Sequence, residues 1–262
     1  MNQFPKDILI DVSWLNEHRL DPNLVLVDVR GAGYRLGHIP DAIALNLGRD
    51  FFVMANRFVE LASPEQIAQG LGALGIANAS TIILYDDTND QLVALVYWLL
   101  RYIGHTAIKI LHGGWLGWRN AGGEISQTIP QVARAQYRAQ TQNDLRATAE
   151  WIQANAARAD VLVLDARSLN EYKMGHIPNA VNLPYDQNLD WQTMRFRDEA
   201  ILRAQFEAIG VTPDKEMVVY CHSGMRSAHM FLTLCLMGYA RVRNYNGSMA
   251  DWFENRRLLI EY

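Results

Sequence analysis

The chain has 262 residues, half of them hydrophobic and a fifth charged, a composition that supports one or two packed cores and excludes a mainly disordered protein. A net charge of −4 and a pI near 6.0 supply no global basic field, which argues against nucleic acid or an anionic membrane as a partner and leaves room only for local anion sites. No apolar run is long enough to span a bilayer, and the opening MNQFPKDILIDVSW lacks a basic n-region and a long apolar h-region, so a cytoplasmic, reducing setting is expected.

In chain order, the first half offers an apolar strand in VLVDVR (Val25 to Arg30), a turn and short strand in GHIPDAIALNL from Gly37, and a polar helix around Glu65 to Ala73. A second apolar strand, TIILYDD from Thr81, follows, then the helical run LVALVYWLLRYIG and the segment ILHGGWLGW ending at Trp118. The polar stretch SQTIPQVARAQYRAQTQN, Ser126 to Asn143, breaks this pattern and reads as a linker. The second half then repeats the series: VLVLDAR (Val161 to Arg167), GHIPNAVNLPY from Gly175, MVVYCHS from Met217, AHMFLTLCLMG, and NYNGSMADW ending at Trp252. The offset between copies stays near 137 residues, so one domain is written twice. Short, β-branched, non-alternating strands interleaved with helices predict a mainly parallel sheet covered on both faces. The expected division is residues 1–125, a linker over 126–143, and residues 144–262.

The strand from Met217 runs straight into Cys221-His222-Ser223-Gly224-Met225-Arg226-Ser227, and a helix starts at once. A loop at the carboxyl edge of a parallel strand, leading into a helix N-terminus, turns backbone N–H groups and the positive end of the helix dipole towards whatever the loop holds. Such a cradle favours a thiolate at Cys221. Arg226, with His222, adds side-chain charge. The other cysteine, Cys235, lies in LTLCLM and reads as a core filler; the helix between the two keeps them several turns apart, so both are free thiols.

The D-x-R followed by GHIP in both halves, the strand that ends in cysteine only in the second half, and the final G-x-x-x-x-W in both halves resemble the tandem-domain rhodanese family of sulfurtransferases over nearly the whole chain. That resemblance implies an α/β fold of two tandem rhodanese-like domains, with an active site at their interface and a first copy that has lost its cysteine. Tyr85-Asp86-Asp87 aligns with Tyr220-Cys221-His222, so Asp86 stands in the nucleophile's place, and the first domain is expected to be structural. The resemblance also implies a mechanism. Cys221 takes the outer sulfur of a small anionic donor as a persulfide, held by the loop from His222 to Ser227 with Arg226 on the sulfonate, and passes it to cyanide or a thiol. Neither a metal nor an organic cofactor is needed, and no Cys/His spacing suggests zinc. A monomer is expected.

Other readings stay open. Cysteine and arginine on an anion loop also describe rhodanese-fold and tyrosine phosphatases, but these use C-x5-R, and the C-x4-R here is one residue shorter. A non-enzymatic persulfide carrier fits the same loop. For the donor, CHSGMR shares Ser-Gly with the CGSG of mercaptopyruvate-type members, whereas Arg226 resembles bacterial thiosulfate users; thiosulfate is the expectation. Those families often place an arginine four residues after the D-x-R arginine, where this chain has Glu171, which would repel an anion if it faced the pocket. The pairs Asp28/Arg30 and Asp165/Arg167 read as structural ion pairs, His38 and His176 as backbone caps, and Trp118, Trp252, Met230 and Met237 as core.

Overall fold

In the computed structural model of the chain, residues 8–55, 58–87, 90–193 and 195–262 are described; residues 1–7, part of the stretch examined above for a leader, lie outside them. The described residues divide into two compact units, one ending at Thr141 and the other running from Gln142 to Tyr262.

The first unit holds a five-stranded parallel sheet of β1 (Leu9–Ile10), β2 (Leu24–Asp28), β3 (Ile43–Ala44), β4 (Thr81–Tyr85) and β5 (Ile108–Leu111), in the spatial order β1-β5-β4-β2-β3. The second holds β6 (Val161–Asp165), β7 (Ala180–Asn182), β8 (Glu216–Tyr220) and β9 (Val242–Asn244), in the order β9-β8-β6-β7, again all parallel. In each unit the two central strands neighbour each other, yet the chain leaves them in opposite directions: β6 towards β7, β8 towards β9. Their outgoing loops therefore diverge and open a crevice at the carboxyl edge. Cys221 is the first residue after β8, at that point.

The central strands are buried because helices cover both faces. Val25 to Asp28 pair residue for residue with Ile82 to Tyr85, and Val161 to Asp165 with Glu216 to Tyr220. The helix after the cysteine, Met225–Leu236, is buried at Ser227 through Leu234 and at Leu236, and its first-unit counterpart Gln91–Tyr102 at Val93 through Leu100. A helix apolar around most of its circumference must lie inside the domain. Met230, Met237, Trp118 and Trp252 are core residues. Cys235 differs from its expectation: it is half-buried, because its position falls on the least covered side of that helix.

The repeated motifs hold the crevice in shape. Arg167 donates from Nε and Nη2 to Asp165 at 2.6–3.0 Å and from Nη2 to the Gly175 carbonyl at 2.8 Å; Arg30 does the same to Asp28 and the Gly37 carbonyl. The end of each central strand is thereby tied to the GHIP turn. A tyrosine hydroxyl adds a second tie, Tyr220 to the Ile177 amide and Tyr85 to the Ile39 amide. His38 and His176 accept their place as backbone partners of Tyr34 and Tyr172, on whose rings they stack.

The stretch read as a linker packs along the first unit. Ser126 bridges to His38, Ala135 N donates to the Gly72 carbonyl, Gln140 N to the Ile103 carbonyl, and Asn78 exchanges two hydrogen bonds with Arg138. Its polar composition hid this because the pairing is through backbone amides, which every sequence carries. No helix among the described residues is long and apolar enough to cross a membrane.

Asp165 is fully buried against Arg167, so removing one charge leaves the other stranded. Asp165→Asn is expected to destabilise the second unit by about 3–5 kcal/mol, measured by thermal and urea unfolding; an unchanged melting transition would show that the pair contributes nothing.

Candidate active site

Cys221 is 1% exposed and lies at the mouth of the loop that links β8 to the helix Met225–Leu236. The Gly224 amide donates to its Sγ at 3.1 Å. Gly224 is the helix N-cap with φ 100°, and a Cβ there would come within 2.8 Å of the Asn246 carbonyl oxygen, so only glycine lets the loop turn tightly enough to aim this amide at sulfur. The first-turn amides of Met225, Arg226 and Ser227 have no acceptor within the helix and complete a positive rim.

A second segment supports the loop from behind. Met249 N donates to the Cys221 carbonyl at 3.2 Å and Ala250 N to the His222 carbonyl at 2.9 Å. Ser248 is fully buried; its Oγ accepts from the Cys221 amide at 3.0 Å, donates to the Tyr245 carbonyl at 2.8 Å, and lies 3.9 Å from Sγ. Ser248 was not singled out from the sequence. The available signal was the repeat itself: Gly247-Ser248 answers Gly113-Gly114, so a serine replaces a glycine at a left-handed position, φ 53°, a conformation that non-glycine residues hold only when the surroundings enforce it.

The remaining loop side chains have separate fates. His222 and Ser223 are exposed and Met225 is half-buried. His222 Nε2 stands 3.7 Å from Glu254. Ser227 is buried, and its hydroxyl is committed to the Gly224 carbonyl at 3.0 Å. Arg226, expected to point at a donor's sulfonate, places Nη1 and Nη2 on the two oxygens of Glu171 at 2.7 and 2.8 Å. Glu171, expected to repel anions, spends its charge on that arginine instead. The Arg226 guanidinium, together with hydrogen bonds from Ser168, holds the Glu171 carboxyl down at about 2.

The first unit shows the same cradle with a carboxylate in the place of the cysteine. Asp86 follows β4 as Cys221 follows β8, and its carboxylate accepts from the amides of Asp90, Leu92 and Val93 at 3.1–3.2 Å. A fixed anion thus fills the place that the second unit gives to sulfur. Gly114 packs against the Asp86 carbonyl so closely that a Cβ would lie 2.3 Å from that oxygen, so this copy has no room for a counterpart of Ser248. A surface hollow of about 720 Å³ between Glu65–Ala73 and residues 134–139 lies on the first unit and does not include the cradle.

Asp90 is buried beside Asp86, and burial together with the Asp86 charge pushes its carboxyl well above the ordinary range. A carboxyl raised on folding binds its proton more tightly in the native state, so its contribution is complete below the unfolded-state pKa of about 3.9 and declines as pH rises towards the folded value. Asp90→Asn, which keeps a side chain tolerant of the left-handed φ of 61°, is expected to raise the melting temperature of the first unit at neutral pH. It should also flatten the unit's loss of stability on going from pH 5 to pH 8, by differential scanning calorimetry. A variant with the wild-type pH profile would show that Asp90 is ionised in the native protein.

Comparison with known proteins agrees with this architecture. The model of the rhodanese-like domain matches residues 11–121 and again 148–255. The chain is 30% identical to the thiosulfate sulfurtransferase of Pseudomonas aeruginosa, over 88% of each chain, and 30% identical to the sulfur carrier protein TtuD of Thermus thermophilus, over 94% of this chain and 93% of that one. Among solved structures, SseA from Escherichia coli, described as a 3-mercaptopyruvate sulfotransferase, superposes with a TM-score of 0.83 at 24% identity, covering 92% of this chain and 98% of SseA. Two copies of one α/β domain, a cysteine cradle in the second and a carboxylate in the first make the chain a member of the rhodanese-like family, with homologues that are sulfurtransferases.

Proposed function

We propose that the protein moves sulfane sulfur from thiosulfate to cyanide or a thiol through a persulfide on Cys221. The observation that carries this reading is the Gly224 amide aimed at Sγ at the N-terminus of the helix Met225–Leu236, where the first-turn amides have no partner within the helix. In the first half-reaction the Cys221 thiolate attacks the outer sulfur of thiosulfate; the donor's S–S bond breaks, sulfite leaves with the electron pair, and Cys221 carries the persulfide. The extra sulfur lies among the loop amides, which stabilise its negative charge as an oxyanion hole stabilises oxygen. In the second, the acceptor attacks that outer sulfur and the Cys221 thiolate departs unchanged. Sulfur is both nucleophile and leaving group, so neither metal nor organic cofactor is required.

Thiosulfate is favoured by the Pseudomonas aeruginosa relative, a thiosulfate sulfurtransferase. A second reading, persulfide storage for a partner protein, is favoured by the equally similar sulfur carrier protein TtuD. Use of 3-mercaptopyruvate remains the alternative donor. We take the protein to be a monomer of the cytoplasm; two free thiols support the reducing compartment.

The test is thiocyanate formation from thiosulfate and cyanide, with 3-mercaptopyruvate in parallel. Cys221→Ala is expected to abolish turnover, whereas Cys235→Ala retains at least half of it. Equal loss in both variants would remove Cys221 from its assigned role. One sulfur transferred per chain without turnover would favour the carrier, and preference for mercaptopyruvate would overturn the choice of donor.

A further inference from the structure

The loop's cationic side chains do not stand free. Arg226 is held by Glu171 through two parallel hydrogen bonds, the fork-to-fork geometry that gives arginine–carboxylate pairs their strength. His222 faces Glu254. Glu171 is itself anchored: Oε2 also accepts from the amide and hydroxyl of Ser168 at 3.1 and 2.8 Å, while Ser168 Oγ accepts from the Glu171 amide, a capping box at the start of the helix Leu169–Lys173. The carboxylate therefore cannot swing away without also uncapping its helix. Its charge persists at any working pH, since the group is held at about 2. The first unit lacks both the carboxylate and the arginine. Tyr34 corresponds to Tyr172, each stacked on its histidine and bonded to the carbonyl of Ala42 or Ala180. The preceding residue there is Gly33, and the segment Asp86–Gln91 has no arginine.

Resting on the sulfurtransfer reading above, we propose that Glu171 is a specificity-determining residue: it holds the loop's arginine in an internal ion pair, so a free dianion such as thiosulfate must compete with a built-in carboxylate, whereas sulfane sulfur borne on a thiol need not. A hydropersulfide presents its charge on the sulfur that enters the amide cradle. Cys221 attacks that outer sulfur, the donor's S–S bond breaks, and the donor leaves as a thiolate that takes a proton from water. Nothing in this exchange asks for Arg226. Thiosulfate carries a sulfonate that remains outside the cradle and gains from a guanidinium only after Glu171 has yielded it.

Glu171→Gln separates the two, because glutamine at the third helical position preserves the capping box while removing the charge. Sulfur loading of Cys221 is followed by intact-protein mass spectrometry, with thiosulfate and cysteine persulfide as the probes, over a range of donor concentrations. The ratio of thiosulfate to persulfide kcat/KM is expected to rise about five-fold in the variant, the scale of a partly exposed ion pair, mainly through a lower thiosulfate KM. The gain should vanish in the Arg226→Ala background, since the effect is routed through that side chain. A ratio that is unchanged or lower, in a wild-type protein that loads sulfur normally, overturns the inference and leaves the sulfurtransfer reading intact. A wild-type protein that takes sulfur from neither donor removes that reading and the inference with it.

Discussion

At the start of the helix that follows the central strand, the first backbone amides have no partner within the helix. Burial makes that deficiency costly, about 1–3 kcal/mol for each unsatisfied group, and the helix dipole adds a preference for negative charge. Both copies of the domain meet the same demand. In the first, the Asp86 carboxylate accepts from three amides; in the second, Cys221 Sγ accepts from Gly224. A carboxylate is a permanent occupant. A sulfur can be extended by one atom and shortened again, and on the proposed reading that difference separates the two units on the same scaffold.

The crevice exists because the parts around it are tied down. The buried Asp–Arg pair at the end of each first central strand reaches the carbonyl of the GHIP glycine, and the tyrosine that ends the neighbouring strand holds the next amide of the same turn. Around Cys221 the segment from Tyr245 to Ala250 adds backbone bonds to the Cys221 and His222 carbonyls and the Ser248 hydroxyl to the Cys221 amide. Such second contacts keep a small reactive atom in one position, which is the requirement for orienting an in-line exchange at sulfur.

Electrostatics in the loop come mainly from the backbone. Arg226 carries the side-chain charge and is paired with Glu171, so the amides and the helix dipole remain as the uncompensated positive field. Backbone donors read charge on the transferred sulfur and are indifferent to what that sulfur was attached to. On the reading proposed above, specificity for the donor's remainder rests on the rim, where Glu171 and Arg226 stand.

Much of this was legible in the chain. The repeat, the parallel α/β sheets, the cysteine at a strand-to-helix loop, the aspartate in its place in the first copy, and the Asp–Arg pairs all follow from local pattern, because strand burial, loop chemistry and i to i+2 pairing are properties of short segments. The Arg226–Glu171 pair, the hydroxyl of Ser248 behind the cysteine amide and the strap of residues 126–141 were not. Each joins residues far apart in sequence, or uses backbone amides that no residue type announces, and such contacts exist only once the strands have set the loops side by side. Sequence alone pointed to Cys221 as the candidate nucleophile. Tertiary structure decided which charges surround it, because a carboxylate and a guanidinium cancel only at contact distance.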